Sequence, residues 1–423
     1  MGQHTKDDFL GFLNATRDSD GSSGDWSLGA LPSFESAMLP SVPSLATVEN
    51  DALFGGGLDE PVYNGSGATA VAVAASGDDR IDGILIGSKW SGSISYSTPD
   101  NPLDYPVSYY SDGDGDGTSA QYEGFSQFSA AQTMAMHYAL NDFTYTQPSG
   151  AAGFSVEGFT SLGIGFSGAG LGTGTIRGAN SSDPSTSYGY YPNSSIYGGD
   201  IWIGPSAQGV TSPGDYDWFT TMHELGHALG LKHGHSAGGP GNTALPAAYD
   251  SNEFSIMTYH SYIGHDLGTY NYTTNETWGF AQSWMMLDIA ALQYMYGADY
   301  TVNAGNTTYS WNPANGNTVV NGNIAIQPGG NRIFATIWDG GGTDTYDLSA
   351  YTNGVNVDLA PGGHSTFSST QLADLGYNGP GPGVEMARGN IFNALLYQGN
   401  TASLIENAIG GSGGDPLTGN QAA

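Results

Sequence analysis

Residues 222–233, Met-His-Glu-Leu-Gly-His-Ala-Leu-Gly-Leu-Lys-His, restrict this chain more than any other stretch. Positions four apart share a helix face, so His223 and His227 can turn ring nitrogens toward one ion. Glu224, one step round, is out of line as a ligand but can stand over the open side of a metal, where a general base acts on bound water. Gly230 lets the chain leave the helix at positive φ, so that His233 returns to the same point from another direction. Three imidazoles with one position left open are the donor set of catalytic rather than structural zinc. An amphipathic helix with chance histidines would share the apolar face of Leu225, Ala228 and Leu229, but it would not require the glycine and the third histidine.

A methionine turn is the second part of the pattern, and Ser255-Ile256-Met257-Thr258-Tyr259 supplies it. The two together form the metzincin signature. With Tyr259 two residues beyond Met257, the chain resembles the serralysins and related secreted bacterial metalloproteases. The resemblance runs over roughly residues 81–420 and takes in residues 199–202, 287–298 and 405–411. It implies an α+β metzincin catalytic domain, a twisted, mostly parallel sheet plus long helices, followed by an all-β domain that carries the start of a calcium-binding parallel β-roll.

For the site, the resemblance implies zinc held by His223, His227 and His233, with Tyr259 as a displaceable further ligand and catalytic hydrogen-bond donor. Glu224 is then the base and Met257 the apolar floor. Tyr188, Gly189, Tyr190 and Tyr191 resemble the edge strand against which the family pairs its substrate backbone. Calcium is implied around Asn303, Gly305, Thr307, Asp339, Gly341 and Asp344, with Gly342 and Glu406 near a second ion.

Lys and Arg number 8 against 40 acidic residues, a net charge of −32. Nucleic acid and anionic membrane surfaces would repel such a chain; adaptation to salty water is a second reading of the same charge. Cysteine is absent, so calcium is the available staple. No apolar run approaches the roughly 18 residues of a membrane span, and the N-terminus lacks the basic-then-apolar pattern of a cleavable signal. Export by a type I secretion apparatus, which the resemblance implies, would fit a secreted, extracellular protein.

Residues 112–123 match a complete EF-hand loop: Asp112, Asp114 and Asp116 at positions 1, 3 and 5, Gly117 at 6, the Thr118 carbonyl at 7 and Glu123 at 12. The strand-like residues 107–110 before it argue for a lone calcium loop rather than a paired EF-hand; a solvated acidic turn is the bland alternative. The serralysin pattern does not include this loop.

Three domains are expected: a leader or propeptide over 1–75, a zinc protease domain over 76–298 and a β domain over 299–423. A first strand is expected from residues 81–87 into Lys89 and Trp90 and then 94–97, and a helix over 126–141 in which His137 is structural. His235 and His260 are read as pocket or surface residues, and His265 receives no role. Residues 410–418 fit one β-roll repeat, which cannot bury its own face alone, so a shortened or vestigial roll is expected. The functional expectation is a monomeric zinc endopeptidase that cleaves extracellular proteins or peptides. The competing reading is an acidic, calcium-binding surface or adhesion protein with a residual zinc site, against which the intact Glu224 argues.

Overall fold

The computed structural model describes residues 68–106, 109, 111–141 and 153–422. The expected leader lies outside the described residues as far as 67, and so does most of the strand-like stretch 107–110. Residues assigned to the end of the leader in fact form β1 (Thr69–Ala72), antiparallel to β2 (Ser88–Ser91). The alternating Thr-Ala-Val-Ala is short and mostly exposed, so it reads as tail until its partner strand is seen.

Six strands form the sheet behind the histidine-bearing stretch. They are β3 (Ile94–Thr98), β4 (Ser126–Gln127), β5 (Ile164–Ala169), β6 (Ile176–Asn180), β7 (Ser187–Gly189) and β8 (Ile201–Ile203), in the order β5-β3-β6-β8-β7, with β4 beside β6. The β3–β5, β3–β6 and β6–β8 pairs are parallel, whereas β7 runs antiparallel to β8 at the edge. Strands β6 and β8 are buried along their whole length, which their unbroken runs Ile-Arg-Gly-Ala-Asn and Ile-Trp-Ile accommodate only because Arg177 is paired with Asp200 at 2.7 Å.

Three longer helices accompany this sheet. Helix α1 spans Ala130–Leu140, not the expected 126–141, because Ser129 and Gln132 close a reciprocal capping box that fixes its start after β4. Its His137 is buried, with Nδ1 2.6 Å from the Tyr96 hydroxyl. Helix α2, Tyr216–Leu229, carries the histidines, and α3, Met286–Tyr296, runs beneath the methionine turn. The expected strand over 81–87 is instead a helical turn at Asp79–Asp82 and a loop: Asp78 accepts from Arg80 N as its cap, and Asp82 takes the Ser76 and Gly77 amides. Among the described residues no helix is long and apolar enough to cross a membrane.

The C-terminal half is built of short strands. Strands β9 (Thr308–Trp311), β10 (Thr318–Val320), β11 (Asn323–Ile326), β13 (Thr345–Asp347) and β17 (Asn407–Ile409) form one sheet, in which β9, β13 and β17 are mutually parallel neighbours. Strands β12 (Ala335–Ile337), β15 (His364–Ser365) and β16 (Ile391–Asn393) form a second. The repeat over 410–418 contributes β18 (Leu417–Thr418), parallel to β14 (Val357–Asp358), and its Asp415 accepts from Val355 N at 2.9 Å. The fold is thus one of mixed sheets with few helices. Its two halves are tied together by Gln282 N to Phe334 O at 2.9 Å, Arg332 to Glu276 at 2.6 Å and Arg388 to Glu253 at 2.9 Å, among other bonds.

Candidate metal centre and cleft

Helix α2 starts where Asp215 turns a carboxylate oxygen to Trp218 N at 2.8 Å, and it stops where Gly230 adopts φ 107°. Beyond that turn Leu231 N returns to Gly226 O at 2.9 Å, the closure of a left-handed helix cap. Residues 230–232 are then fixed from outside: Ile86 N bonds Gly230 O, Lys232 N bonds Ile84 O, and the buried Lys232 ammonium reaches Gly83 O at 2.5 Å, Ser236 O at 2.7 Å and Thr243 O at 3.1 Å. His233 therefore enters the site from a segment that cannot drift.

The structure brings His223, His227 and His233 together. The Nε2 atom of His233 lies 3.1 Å from that of His227 and 3.2 Å from that of His223. His223 Nδ1 is 2.7 Å from Ile256 O, and His227 Nδ1 is 2.7 Å from Leu231 O. A carbonyl can only accept, so both Nδ1 atoms carry the proton and both Nε2 lone pairs point at the common centre. Burial holds the three imidazoles neutral, pushing His223 down to about 4, His227 to about 3 and His233 well below the ordinary value. Converging lone pairs this close repel unless a cation sits among them, and two nitrogens on one tetrahedral zinc are about 3.3 Å apart. The donor set fits that metal.

Glu224 is buried, with Oε2 lacking any partner, and burial pushes its carboxyl up to about 8. An orphaned carboxylate oxygen is costly unless a bound water or a cation satisfies it. Tyr259 stands on the other side, its hydroxyl 3.0 Å from His233 Nε2. Met257 is wholly buried under the helix, and only a glycine at 226 lets it approach: a Cβ there would overlap Met257 Sδ. Asp288, on α3, fixes the methionine turn by accepting from Ser255 Oγ at 2.6 Å and from Ile256 N and Met285 N at 2.9 Å each. Sequence reading missed it, since a lone aspartate at a helix start looks like an ordinary cap.

Strand β7 lies at the sheet edge beside α2, with one side bonded to β8 and the other unpaired within the sheet. The Tyr188 and Tyr190 side chains turn inward, their hydroxyls 2.5 and 2.7 Å from Ser111 Oγ, and Gly189 packs on Glu224 O. Tyr191 faces the histidines, its ring edge-on to His227 at 5.3 Å. His235 stacks on His233 at 5.2 Å and lies tilted against Tyr259 at 4.4 Å, the His233 and Tyr259 rings themselves being 4.6 Å apart. His260 pairs with Asp250 at 2.8 Å, and buried His265 takes Ser261 N and lies 2.9 Å from Tyr270 O.

The acidic loop gathers Asp112, Asp114 and Asp116 into one cluster and Asp114, Glu123 and Asp183 into a second, with carboxylate oxygens within 4.8 Å of one another in each. Asp183, which no local pattern singles out, is buried and ties the loop to β7 by accepting from Gly113 N at 2.7 Å and from the Tyr188 hydroxyl at 2.9 Å. Glu123 Oε1 is a buried atom without a partner. The Thr118 amide bonds Asp116 Oδ1 at 2.8 Å.

In the C-terminal half, Asp344 accepts from Thr307 N and donates its own amide to Glu406, each at 2.7 Å, and its Oδ2 is buried and unpartnered. Asp339 takes Gly341 N at 2.7 Å, and burial together with the neighbouring Asp344 pushes its carboxyl well above the usual range. Gly342 packs on Gly305, whose carbonyl accepts from Thr307 Oγ1, while Asn303 lies one step out, donating to the Tyr309 hydroxyl at 3.3 Å.

Residues 298–376 match the family described as Peptidase M10 serralysin C terminal. Serralysin C of Dickeya chrysanthemi is 34% identical over 238 residues, 54% of this chain and 42% of the relative. The metalloprotease AprA of Pseudomonas entomophila (strain L48) is 34% identical over 233 residues, 53% and 42%, and the metallopeptidase AprA of Pseudomonas marginalis is 28% identical over 316 residues, 71% and 56%. The chain thus spans about half the length of the curated relatives it matches. With the C-terminal family match and the shared identity pointing the same way, this is a serralysin-like chain.

Proposed function

We propose that this chain is a zinc-dependent endopeptidase that hydrolyses peptide bonds in extracellular proteins. The observation that carries the reading is the convergence of three neutral Nε2 atoms beside a buried carboxylate oxygen with no partner. His223, His227 and His233 would hold the zinc, with Tyr259 as a displaceable fourth protein ligand. When bound, zinc polarises the scissile carbonyl and makes a water acidic enough to attack it.

With a cation among the imidazoles favouring its ionised form, Glu224 would take the proton from the attacking water and hand it to the leaving amine nitrogen, from its place one step round α2 from His223. The Tyr259 hydroxyl donates a hydrogen bond to the carbonyl oxygen as negative charge develops there. Met257 gives the site a dry, apolar floor. The free side of β7 receives the substrate backbone as an added strand, so selectivity for sequence is weak, with Tyr191 beside the reacting bond.

Calcium is assigned a stapling role at the loop Asp112, Asp114, Asp116, Thr118 and Glu123, extended by Asp183, and at the C-terminal group of Asp339, Asp344 and Glu406. The C-terminal strands are the first turns of a β-roll, the segment before β1 is a leader, and the protein acts outside the cell as a monomer after type I export. Glu224→Ala tests the central claim. Cleavage of casein should fall by at least about a thousandfold while zinc content stays near one per chain; cleavage at the wild-type rate would refute the assignment.

A further inference from the structure

The hydrogen bonds around Tyr259 form an arrangement that the proposed reaction does not itself require. Asp250 sits on a loop before the methionine turn, and its two carboxylate oxygens bind the residues on either side of the tyrosine. Oδ1 accepts from the Thr258 hydroxyl, and Oδ2 lies 2.8 Å from His260 Nδ1. His260 N also donates to Thr258 Oγ1 at 3.2 Å, which closes a ring through the carboxylate. Thr258 is wholly buried, and the Asp250 and His260 side chains are only 11% and 21% exposed, so the ring is largely sheltered from water.

The backbone is held as well. Asn252 gives its side-chain amide to Thr258 O at 3.0 Å and its own N–H to His260 O at 2.9 Å. Tyr259 N lies 3.4 Å from His235 Nδ1, and the His235 ring lies against the tyrosine ring. Tyr259 stands at a bend, and with both flanking side chains tied to one carboxylate and both flanking carbonyls to Asn252, the backbone that carries its ring is held. From that backbone the Tyr259 hydroxyl meets His233.

We propose that Asp250 is a positioning residue for Tyr259: by clamping Thr258 and His260 it confines the tyrosine to side-chain rotation over a fixed backbone. The phenol then moves on and off the metal centre without disturbing the methionine turn. This inference rests on the role given to Tyr259 above.

A double-mutant cycle on the full chain tests it, with wild type, Asp250→Ala, Tyr259→Phe and the double variant, each checked for cooperative thermal unfolding. Asp250→Ala is expected to lower kcat by about tenfold with KM within about twofold, the pattern of a misplaced catalytic group. In the Tyr259→Phe background the same change should cost less than about twofold, because nothing remains to be positioned. A second readout needs no turnover: in protein loaded with Cu(II), the tyrosinate-to-copper charge-transfer band should be present in wild type, absent in Tyr259→Phe and weakened or shifted in Asp250→Ala.

Should Asp250→Ala be poorly folded, Asp250→Asn, which keeps an acceptor for Thr258 and a donor for His260, is read in its place and should fall between wild type and Tyr259→Phe in the copper band. An equal loss of kcat in both backgrounds, or an unchanged band in a folded Asp250 variant, overturns the proposal. If Tyr259→Phe itself changes neither kcat nor the band, the role of the tyrosine falls first and the positioning role falls with it.

Discussion

Replacing Gly230 with alanine separates the two demands that the histidine motif makes on its glycine. At φ 107° an L-residue incurs a left-handed penalty of about 1–2 kcal/mol. The new Cβ would also stand 2.4 Å from the Ser88 carbonyl oxygen and 3.2 Å from Met295 Sδ. The methionine can rotate, but the carbonyl belongs to β2 and moves only with its strand, an overpacking cost of about 1–3 kcal/mol. Against this, alanine restricts the unfolded chain and offsets about 0.4–1 kcal/mol. The net expectation is a loss of about 1–4.5 kcal/mol, a sizeable part of the stability of an ordinary domain. Urea unfolding of metal-free protein, with the slope unchanged from wild type, measures it without interference from zinc. Because the same turn aims His233, zinc affinity measured by chelator competition should fall in parallel. A variant within about 0.5 kcal/mol of wild type would show that the turn relaxes freely, and the argument that it fixes the third histidine would be wrong.

Three further outcomes are expected. His137 is buried and held down to about 4, below its ordinary 6.5, so the unfolded chain takes up its proton first as pH falls. The stability tied to His137 is therefore complete above about pH 6.5 and lost toward pH 4, up to about 3 kcal/mol, and His137→Phe should flatten the acid limb of a stability-against-pH curve relative to wild type. Removing calcium by a calcium-selective chelator should lower the thermal midpoint, and Asp183→Asn should abolish the part of that shift due to the acidic loop; an equal shift in both proteins would remove Asp183 from the site. Asp288→Ala strips two donors at the methionine turn and one at the start of α3 of their acceptor and should cost about 2–4 kcal/mol, read by denaturant unfolding, with weaker zinc retention; unchanged retention would mean that the turn holds its place without α3.

What could be read from residues alone was whatever depends on short spacing. The helix face of His223 and His227, the turn at Gly230 and the twelve-residue acidic loop are local patterns, and the geometry places their members together. Asp183 and Asp288 were not legible, because each acts across a gap set by tertiary packing; Asp288 meets Ser255 33 positions away and Asp183 meets Gly113 70 away, while Asp250 acts over only 8 and 10 positions but within an irregular loop. No periodicity marks such residues, and an aspartate near a loop or a helix start already has an ordinary explanation. The misread stretch 81–87 shows the opposite failure. Its apolar run looked like a strand, but Asp78 and Asp82 bind nearby amides and favour a turn, leaving Ile84 and Leu85 as core plugs.

The buried ammonium of Lys232 reaches a carbonyl 149 positions earlier, at Gly83. Until those distant stretches meet, this anchor on the backbone beside His233 is missing, so the fully fixed set of imidazoles belongs to a chain that has already closed a loop of that length. Capture of a metal by these imidazoles would then follow the closure of that loop rather than seed it.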